Sequence, residues 1–320
     1  MSSPLLCGPQ LKQFYLGPAG NLRLLTMPDA GYKVTLDQGK VDHGLLGGPH
    51  AVQHLGKTRR VYELDFSQQT WGQGDLVTSI FAGLLGPGPY YLIDPAFRNL
   101  LPAHISGGGQ IEATSVGYFV SAGGAVAFAA PAITPPPLAP LCGVQDWTTV
   151  QNSFLWLNAT AANITEPGAP PVNLSEPFTA ATWLRCAAGT TNVQLLAYFT
   201  DINGASLGTV SLVASAAVTT TWQRFGAPLV PASVPAGAVT YGLALQALSA
   251  APPHVYVSAP DIQQASGIVD PAGAGPNATL LAPWVLGLGV PKLLPYGTMA
   301  ANPDRMYARR SHVLTLVEAA

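Results

Sequence analysis

The sequence predicts an all-β protein with two domains. Its 320 residues are about twice the length of a typical domain. A hydrophobic content of 48% argues against disorder, although Gly and Pro are abundant. Short apolar runs separated by turn residues dominate the chain, as is typical of packed antiparallel sheets. We therefore expect a small β-barrel-like domain with one helix and an inserted β-sandwich.

The first block, residues 1–98, combines strand signals with one helix. From Arg60 to Phe66, apolar and charged residues alternate, which predicts a half-buried antiparallel strand. Residues 89–94 form a short apolar run that predicts a buried strand. Between these runs, a helix is predicted to begin at an N-cap in Gly74-Asp75 and to stop at Gly86-Pro87. Its apolar residues at helical spacing are Leu76, Ile80 and Leu84.

A change in charge content marks the second block. Half of the charged residues lie before position 99, whereas roughly the next 170 residues contain nine. Here short β runs alternate with Gly, Pro and Ala, and Asn203-Gly204 between two runs is a hairpin signal. These features predict a sandwich over residues 99–267. Its clearest strand signals are 117–121, 154–157, 181–186, 193–200, 240–247 and 254–258.

The end of the chain regains charge and closes with a strongly apolar strand, His312–Val317. An unpaired strand of this hydrophobicity is an aggregation hazard, so it has to join a sheet, and the first block is its natural host. We therefore predict that residues 1–98 and 283–320 form one discontinuous domain. The sandwich, 99–267, is inserted into it, and 268–282 is a linker.

Composition narrows the function classes. Only 9% of residues are charged, so the surface of this chain is best understood inside an assembly. A net charge of −2 offers no basic field for nucleic acid. No apolar run is long enough for a membrane span, and the N-terminus lacks the regions of a signal peptide. The cysteines Cys7, Cys142 and Cys186 fit no metal or disulfide pattern and are expected to be buried thiols.

The second block contains, in order, the segments Asn99–Pro102, Gly117–Phe119, Pro177–Arg185, Val193–Tyr198, Asp201–Gly204, Val218–Phe225 and Val255–Gln263. Together these segments resemble the jelly-roll carbohydrate-binding modules of bacterial glycoside hydrolases and phage tail proteins. The resemblance covers about half of the chain and implies a jelly-roll fold and a glycan ligand. In that family the closing strand more often contains Val-Asp-Asp-Val, whereas only Asp261 is present here, so no metal is predicted.

Two flanking segments, Tyr91–Leu101 and Arg309–Glu318, resemble minor tail proteins of actinobacterial siphophages and, in part, distal tail proteins. Distal tail proteins form rings between the tail tube and the tail tip. The resemblance implies a virion tail component that is assembled in the cytoplasm of the host bacterium. Its implied partners are the tail tube, the tail tip or hub, and further copies of itself in a trimeric or hexameric ring.

Strand alternation predicts a glycan-binding face. Along 181–186, Leu184 and Cys186 are expected to point inward and Trp183 and Arg185 outward. Along 193–200, Gln194 and Tyr198 are expected to point outward, so the four outward residues share one patch if the two strands are neighbours. An aromatic ring and planar polar groups are what a sugar requires. The alternative is that Trp183 is covered by the Pro-rich segment Pro131–Pro140 or by a neighbouring subunit.

No enzyme and no cofactor are predicted. Glycosidase chemistry requires two carboxylates that flank a sugar, and the few carboxylates of the second block fall mostly in predicted loops or turns. We therefore expect a phage tail component that presents a host-glycan-binding sandwich. The alternatives are an accessory carbohydrate-binding module of a secreted carbohydrate-active protein and a purely structural decoration protein. The carboxylates in question are Glu112, Asp146, Glu166, Glu176, Asp201, Asp261 and Asp270.

Overall fold

The structure is a computed structural model. Most of what it describes is antiparallel β-sheet. The described residues are 14–25, 32–37, 40–43, 51–54, 59–86, 88–94, 99–110, 115–129, 133–137, 139–158, 169–249, 254–264, 286–287, 289–296, 301–304 and 309–319. The helices are α1 (Trp71–Phe81) and α2 (Ala103–Ser106), with a 3-10 turn at Pro231–Ser233. The strands are β1 (Phe14–Gly17), β2 (Arg23–Leu25), β3 (Tyr32–Asp37), β4 (Lys40–His43), β5 (Ala51–His54), β6 (Arg59–Thr70), β7 (Tyr90–Ile93), β8 (Tyr118–Ser121), β9 (Ala125–Ala129), β10 (Val144–Thr148), β11 (Phe154–Leu157), β12 (Phe178–Cys186), β13 (Thr191–Thr200), β14 (Ser206–Val218), β15 (Gln223–Leu229), β16 (Thr240–Ala247), β17 (Val255–Gln263), β18 (Lys292–Pro295), β19 (Ala301–Asp304) and β20 (Arg309–Glu318).

The chain divides into two compact units. The described residues of one lie within Asp94–Val290, and those of the other lie within Lys12–Ile93 and Pro291–Ala320. We call them the sandwich unit and the flanking unit. The all-β fold class is confirmed. The roles given to the two predicted domains stay predictions, and the predicted linker, 268–282, lies outside the described residues.

The flanking unit is built on an eight-stranded sheet with the order β2-β1-β7-β18-β20-β6-β3, and β19 also pairs with β20. As predicted, the closing strand β20 joins this sheet, where it lies between β18 and β6. The alternation predicted for β6 is also confirmed. Tyr62, Leu64 and Phe66 are fully buried, whereas Glu63 and Asp65 are exposed.

The predicted helix exists, but its predicted start, its predicted stop at Gly86-Pro87 and its third apolar contact are wrong, since it ends at Phe81. Helix α1 begins at Trp71, directly after β6, so Gly74 and Asp75 lie inside it rather than at its N-cap. Val77 and Ile80 form its buried face. Leu84 lies in the turn after the helix and is 75% exposed, because the chain leaves the helix before it.

The sandwich unit consists of two five-stranded antiparallel sheets in a jelly-roll order. We call β14-β13-β16-β11-β8 sheet A and β15-β12-β17-β10-β9 sheet B. The predicted hairpin at Asn203-Gly204 connects β13 to β14, and the Asp201 carboxylate accepts the backbone N–H of Asn203 and Ala205 at 2.8 Å each. This carboxylate therefore holds a turn, as expected for Asp at such a position.

Apolar side chains on the facing sides of the two sheets form the core of the sandwich. Phe178 of sheet B contacts Tyr241 of sheet A, with ring centroids 4.0 Å apart, and lies 6.5 Å from Phe199. As predicted, Leu184 and Cys186 point into this core and are fully buried. Burial of each large apolar side chain contributes about 1.5–3 kcal/mol, so these inward positions determine the stability of the unit.

The flanking unit contains a half-buried ion pair that predicts a pH-dependent stability. Arg60 donates to both oxygens of Glu318, at 2.6 and 3.0 Å. Burial alone raises the pKa of Glu318, but the hydrogen bonds and the charge of Arg60 outweigh it and hold this pKa below its ordinary value.

We expect Glu318→Gln to destabilise the flanking unit by about 1.5–3 kcal/mol at neutral pH, because the charged hydrogen bonds to Arg60 weaken. Because the pKa of Glu318 is depressed in the folded protein, the difference in free energy of unfolding between variant and wild type is fully present above the ordinary Glu pKa of about 4.3. This difference vanishes as the pH falls through the pKa that Glu318 has in the folded protein. Urea unfolding between pH 3 and 7 measures it. Glu63→Gln is the control, since its contact with Lys33 is long (3.7 Å) and exposed. An unchanged midpoint for Glu318→Gln at pH 7 contradicts the assignment.

Candidate functional site

The predicted four-residue patch is not formed. Trp183 and Arg185 lie on β12 in sheet B, whereas Gln194 and Tyr198 lie on β13 in sheet A. The two strands are consecutive in sequence but belong to opposite sheets. Because the inner faces of the sheets meet in the core, the outward residues of β12 and β13 point to opposite sides of the sandwich. The prediction that the four residues share one surface is therefore wrong.

Trp183 is a packing residue, as the alternative prediction held. It is 9% exposed and clusters with Ala139, Cys142 and Ala259 on the outer side of sheet B, and Trp222 packs against the same cluster. The Trp222 indole N–H donates to the backbone oxygen of Thr134 at 2.9 Å. Thr134, Ala139 and Cys142 belong to or directly follow the Pro-rich segment, so the described residues from 133 to 142 cover Trp183. We call these residues the covering segment.

A cavity of about 470 Å³ opens beside this cover. Burial raises the pKa of the Cys142 thiol at its wall to about 11, so this cysteine is protonated at neutral pH, and Cys186 is also a buried thiol. Both fit the expectation from sequence, while Cys7 lies outside the described residues. The cavity is lined chiefly by Phe128, Ile133, Pro135, Pro140, Leu141 and Val144.

Tyr198 is buried and acts as an anchor rather than as an exposed contact. Its hydroxyl donates towards the backbone oxygens of Leu157 and Asn158, at 2.8 and 3.1 Å. The ring lies against Gly242 on the neighbouring strand, where a Cβ atom would come within 2.3 Å of it. Gly242 is therefore required for the position of this ring.

Three aromatic residues contact one another on the outer face of sheet A. They are Phe154, Trp156 and Tyr198, and we call them the aromatic strip. The rings of Phe154 and Trp156 are stacked with centroids 5.4 Å apart, and Trp156 meets Tyr198 edge-on at 5.3 Å. Phe154 and Trp156 are partly exposed, and the Trp156 indole N–H donates to Ser121 at 2.8 Å. The strip thus presents apolar ring surface whose orientation is held by hydrogen bonds.

Side-chain amides adjoin the strip. Gln194, Gln246 and Phe154 are cross-strand neighbours on β13, β16 and β11. Gln194 donates to Ser211 at 3.0 Å, which leaves its amide oxygen available. Within the described part of the chain, no hydrogen bond of the Gln246 side chain is found. Sheet A therefore combines apolar ring surface with an available amide oxygen on Gln194 and the amide of Gln246, which suits a ligand that has both apolar faces and hydroxyl groups.

Sequence reasoning predicted strand 154–157 but did not select Phe154 and Trp156. The signal was present, since Leu155 and Leu157 are fully buried and their two aromatic neighbours alternate with them along the strand. Two aromatic residues that face outward at i and i+2 place contiguous apolar area on the outer face of a sheet, which marks an interaction surface. This pattern identifies a candidate binding surface once it is known which residues of the strand point into the core.

Three of the carboxylates considered for catalysis are engaged elsewhere. Asp261 pairs with Arg224 at 2.9 Å in a buried ion pair on sheet B, and Asp146 pairs with His254 at 2.9 Å. Asp201 holds the β13–β14 turn. Among the described residues there is no group of three metal-ligating side chains, and no described helix is long and apolar enough to cross a membrane. Glu112, Glu166 and Asp270 lie outside the described residues.

No protein-family model and no curated protein matches this chain. Among solved structures, it is similar to the CBM22-1 xylan-binding domain of Xyn10C from Paenibacillus barcinonensis, with 12% identity and a TM-score of 0.35 over 48% of this chain and 89% of that domain. It is also similar to the enzymatically active domain of bacteriophage CBA120 tailspike protein 4, with 15% identity and a TM-score of 0.35 over 52% of this chain and 21% of that chain. Likenesses this distant assign no function, which has to follow from the side chains themselves.

We expect Trp183→Ala to destabilise the sandwich unit by about 3–5 kcal/mol, because it leaves a cavity under the covering segment. Thermal unfolding followed by circular dichroism measures it. Arg185→Ala is the matched control on the same strand and face, since Arg185 is only partly buried and is expected to change the midpoint little. A Trp183→Ala midpoint equal to that of the wild type contradicts the packing role.

Proposed function

We propose that the sandwich unit binds a carbohydrate on the outer face of sheet A. The observation that carries the proposal is the aromatic strip, in which Phe154 and Trp156 are partly exposed beside the amide oxygen of Gln194 and the side-chain amide of Gln246. A pyranose has an apolar face that packs on aromatic rings and hydroxyl groups that both donate to and accept from amides. Tyr198 and Ser121 hold the rings in place before the sugar arrives, which lowers the entropy cost of binding.

We propose binding without catalysis. The two-carboxylate mechanisms need acid groups about 5–9.5 Å apart on either side of the sugar bond. No Asp or Glu occupies the cross-strand positions next to the aromatic strip, which are held by Gln194, Gln246, Ala244, Ser121 and Phe119. The described part of this surface thus offers hydrogen bonds and packing, but no acid–base pair.

We expect Trp156→Ala and Phe154→Ala each to weaken carbohydrate binding at least tenfold, because each removes ring surface from the strip. A printed array of neutral and acidic oligosaccharides identifies a ligand, and affinity electrophoresis in gels that contain the matching polysaccharide measures the effect. Tyr296→Ala, an exposed aromatic residue (67%) of the flanking unit, is the control. The proposal fails if wild-type protein binds no array glycan, or if both strip variants bind as tightly as the wild type.

We further propose that the flanking unit assembles the chain into a ring in a bacteriophage tail, located in the virion and contacting the tail tube and tip. The resemblance of Tyr91–Leu101 and Arg309–Glu318 to tail proteins supports this role. So does an aliphatic row across three adjacent strands, formed by Leu294, Val317 and Val61. Leu294 is 40% exposed, and Val313 on the same face is 44% exposed, so a second copy has apolar surface to cover.

We expect wild-type protein to form a discrete trimer or hexamer. We expect Val313→Lys to dissociate it, because this substitution places a charge on the face that carries the aliphatic row. The new lysine stands across from Asp65, so the fold of the unit tolerates it. Light scattering on a size-exclusion column measures the mass. Leu84→Lys, which changes an exposed leucine in the turn after α1, is expected to leave the oligomer intact. A monomeric wild type at micromolar concentration contradicts the ring.

A further inference from the structure

A second set of sugar-compatible side chains lies on the outer face of sheet B. Arg185, Tyr256, Asp146 and Ala127 are consecutive cross-strand neighbours on β12, β17, β10 and β9, so they form one row across four strands. His254, just before β17, contacts the Asp146 carboxylate through Nδ1 at 2.9 Å. We call Arg185, Tyr256, Asp146 and His254 the sheet B row.

The row is open where the neighbouring row is covered. The neighbouring row lies two positions away along β12, β17 and β10 and consists of Trp183, Ser258 and Val144. These three residues are buried under the covering segment. In contrast, Arg185, Tyr256 and Asp146 are partly exposed, and His254 and Ala127 are exposed. The covering segment therefore stops beside the row, which lies at its edge on an accessible part of the sheet.

Arg185 is the group that points to a ligand. Its guanidinium carbon lies 5.8 Å from the centroid of the Tyr256 ring. Its Nε is buried and has no hydrogen-bond partner, and no hydrogen bond or ion pair of this side chain is found within the described part of the chain. The terminal N–H groups of the guanidinium are not among the buried atoms, so they are donors that an acceptor on a bound molecule can reach.

We propose that the sheet B row is a second saccharide-binding subsite, separate from the aromatic strip and on the opposite face of the sandwich. Arg185 donates to a sugar hydroxyl, and the carboxylate of Asp146 accepts from another. The ring of Tyr256 lies between them. Since adjacent strands lie about 4.8 Å apart, the donor and the acceptor are about 10 Å apart at the backbone, which leaves room for one sugar ring with its hydroxyls.

The charge of the row selects a neutral saccharide. Arg185 and Asp146 carry opposite charges on either side of Tyr256, so their fields largely cancel at the centre of the row. A site for an acidic sugar has a cationic excess, whereas a hydroxyl group needs a donor and an acceptor within reach at once. Two subsites on opposite faces make the unit bivalent towards a polysaccharide, so each subsite strengthens retention by the other.

The inference rests on the proposed function only in that both subsites take carbohydrate, and separate variants test them. The probes are neutral hexasaccharides of glucose, xylose and mannose, measured by calorimetry, and the matching soluble polysaccharides, measured by affinity electrophoresis. The variants are Tyr256→Ala and Arg185→Gln for the sheet B row and Trp156→Ala for the strip, alone and combined. Arg23→Gln, an exposed arginine of the flanking unit, is the matched control, and thermal unfolding confirms that each variant is folded.

We expect Tyr256→Ala and Arg185→Gln each to reduce retention by a polysaccharide at least fivefold, and the combination with Trp156→Ala to abolish it. If Trp156→Ala removes all binding and the sheet B variants remain at wild-type affinity, the second subsite is overturned while the proposed function stands. If only the sheet B variants lose binding, the subsite stands and the assignment to the strip is overturned. A preference of the wild type for polyuronate over every neutral probe overturns the neutral ligand class.

Discussion

The contact between the inner faces of the two five-stranded sheets is the interaction on which the sandwich depends. Phe178 joins the sheets by packing on Tyr241 and Phe199, and aliphatic residues fill the remaining inward positions. Because successive side chains on a strand alternate, every inward residue places its neighbours on an outer surface. The register that builds the core therefore also decides which residues are available for binding.

The two outer faces of the sandwich differ in how far their aromatic residues are exposed. On sheet B, the segment around Ala139 covers Trp183, so this tryptophan packs against protein instead of facing solvent. On sheet A, Phe154 and Trp156 stay partly exposed and are held by Tyr198 and Ser121. Gly242 permits this arrangement, since a larger residue there would displace the Tyr198 ring. Phe154 and Trp156 on sheet A therefore stay partly exposed, whereas Trp183 on sheet B is covered.

Local patterns predicted much of the fold but not the site. Alternation along β12 correctly placed Leu184 inside and Trp183 outside, because side-chain direction depends only on strand geometry. The same reasoning cannot assign β12 and β13 to different sheets, since sheet membership depends on partners such as β17 and β16, far away in sequence. The prediction of a shared patch was wrong because it required β12 and β13 to be neighbours in one sheet. The cover over Trp183 was foreseen as one of two alternatives, and only tertiary contacts decide between them.

The most direct test of this account is an NMR titration of the tryptophan indole N–H groups with a neutral oligosaccharide that the wild type binds. The chain contains six tryptophans, and Trp156 lies in the aromatic strip whereas Trp147 is fully buried in the core. The account predicts a saturable shift of the Trp156 indole signal and no shift for Trp147. A titration that saturates while the Trp156 signal stays in place would contradict the assignment of sheet A as the carbohydrate-binding surface.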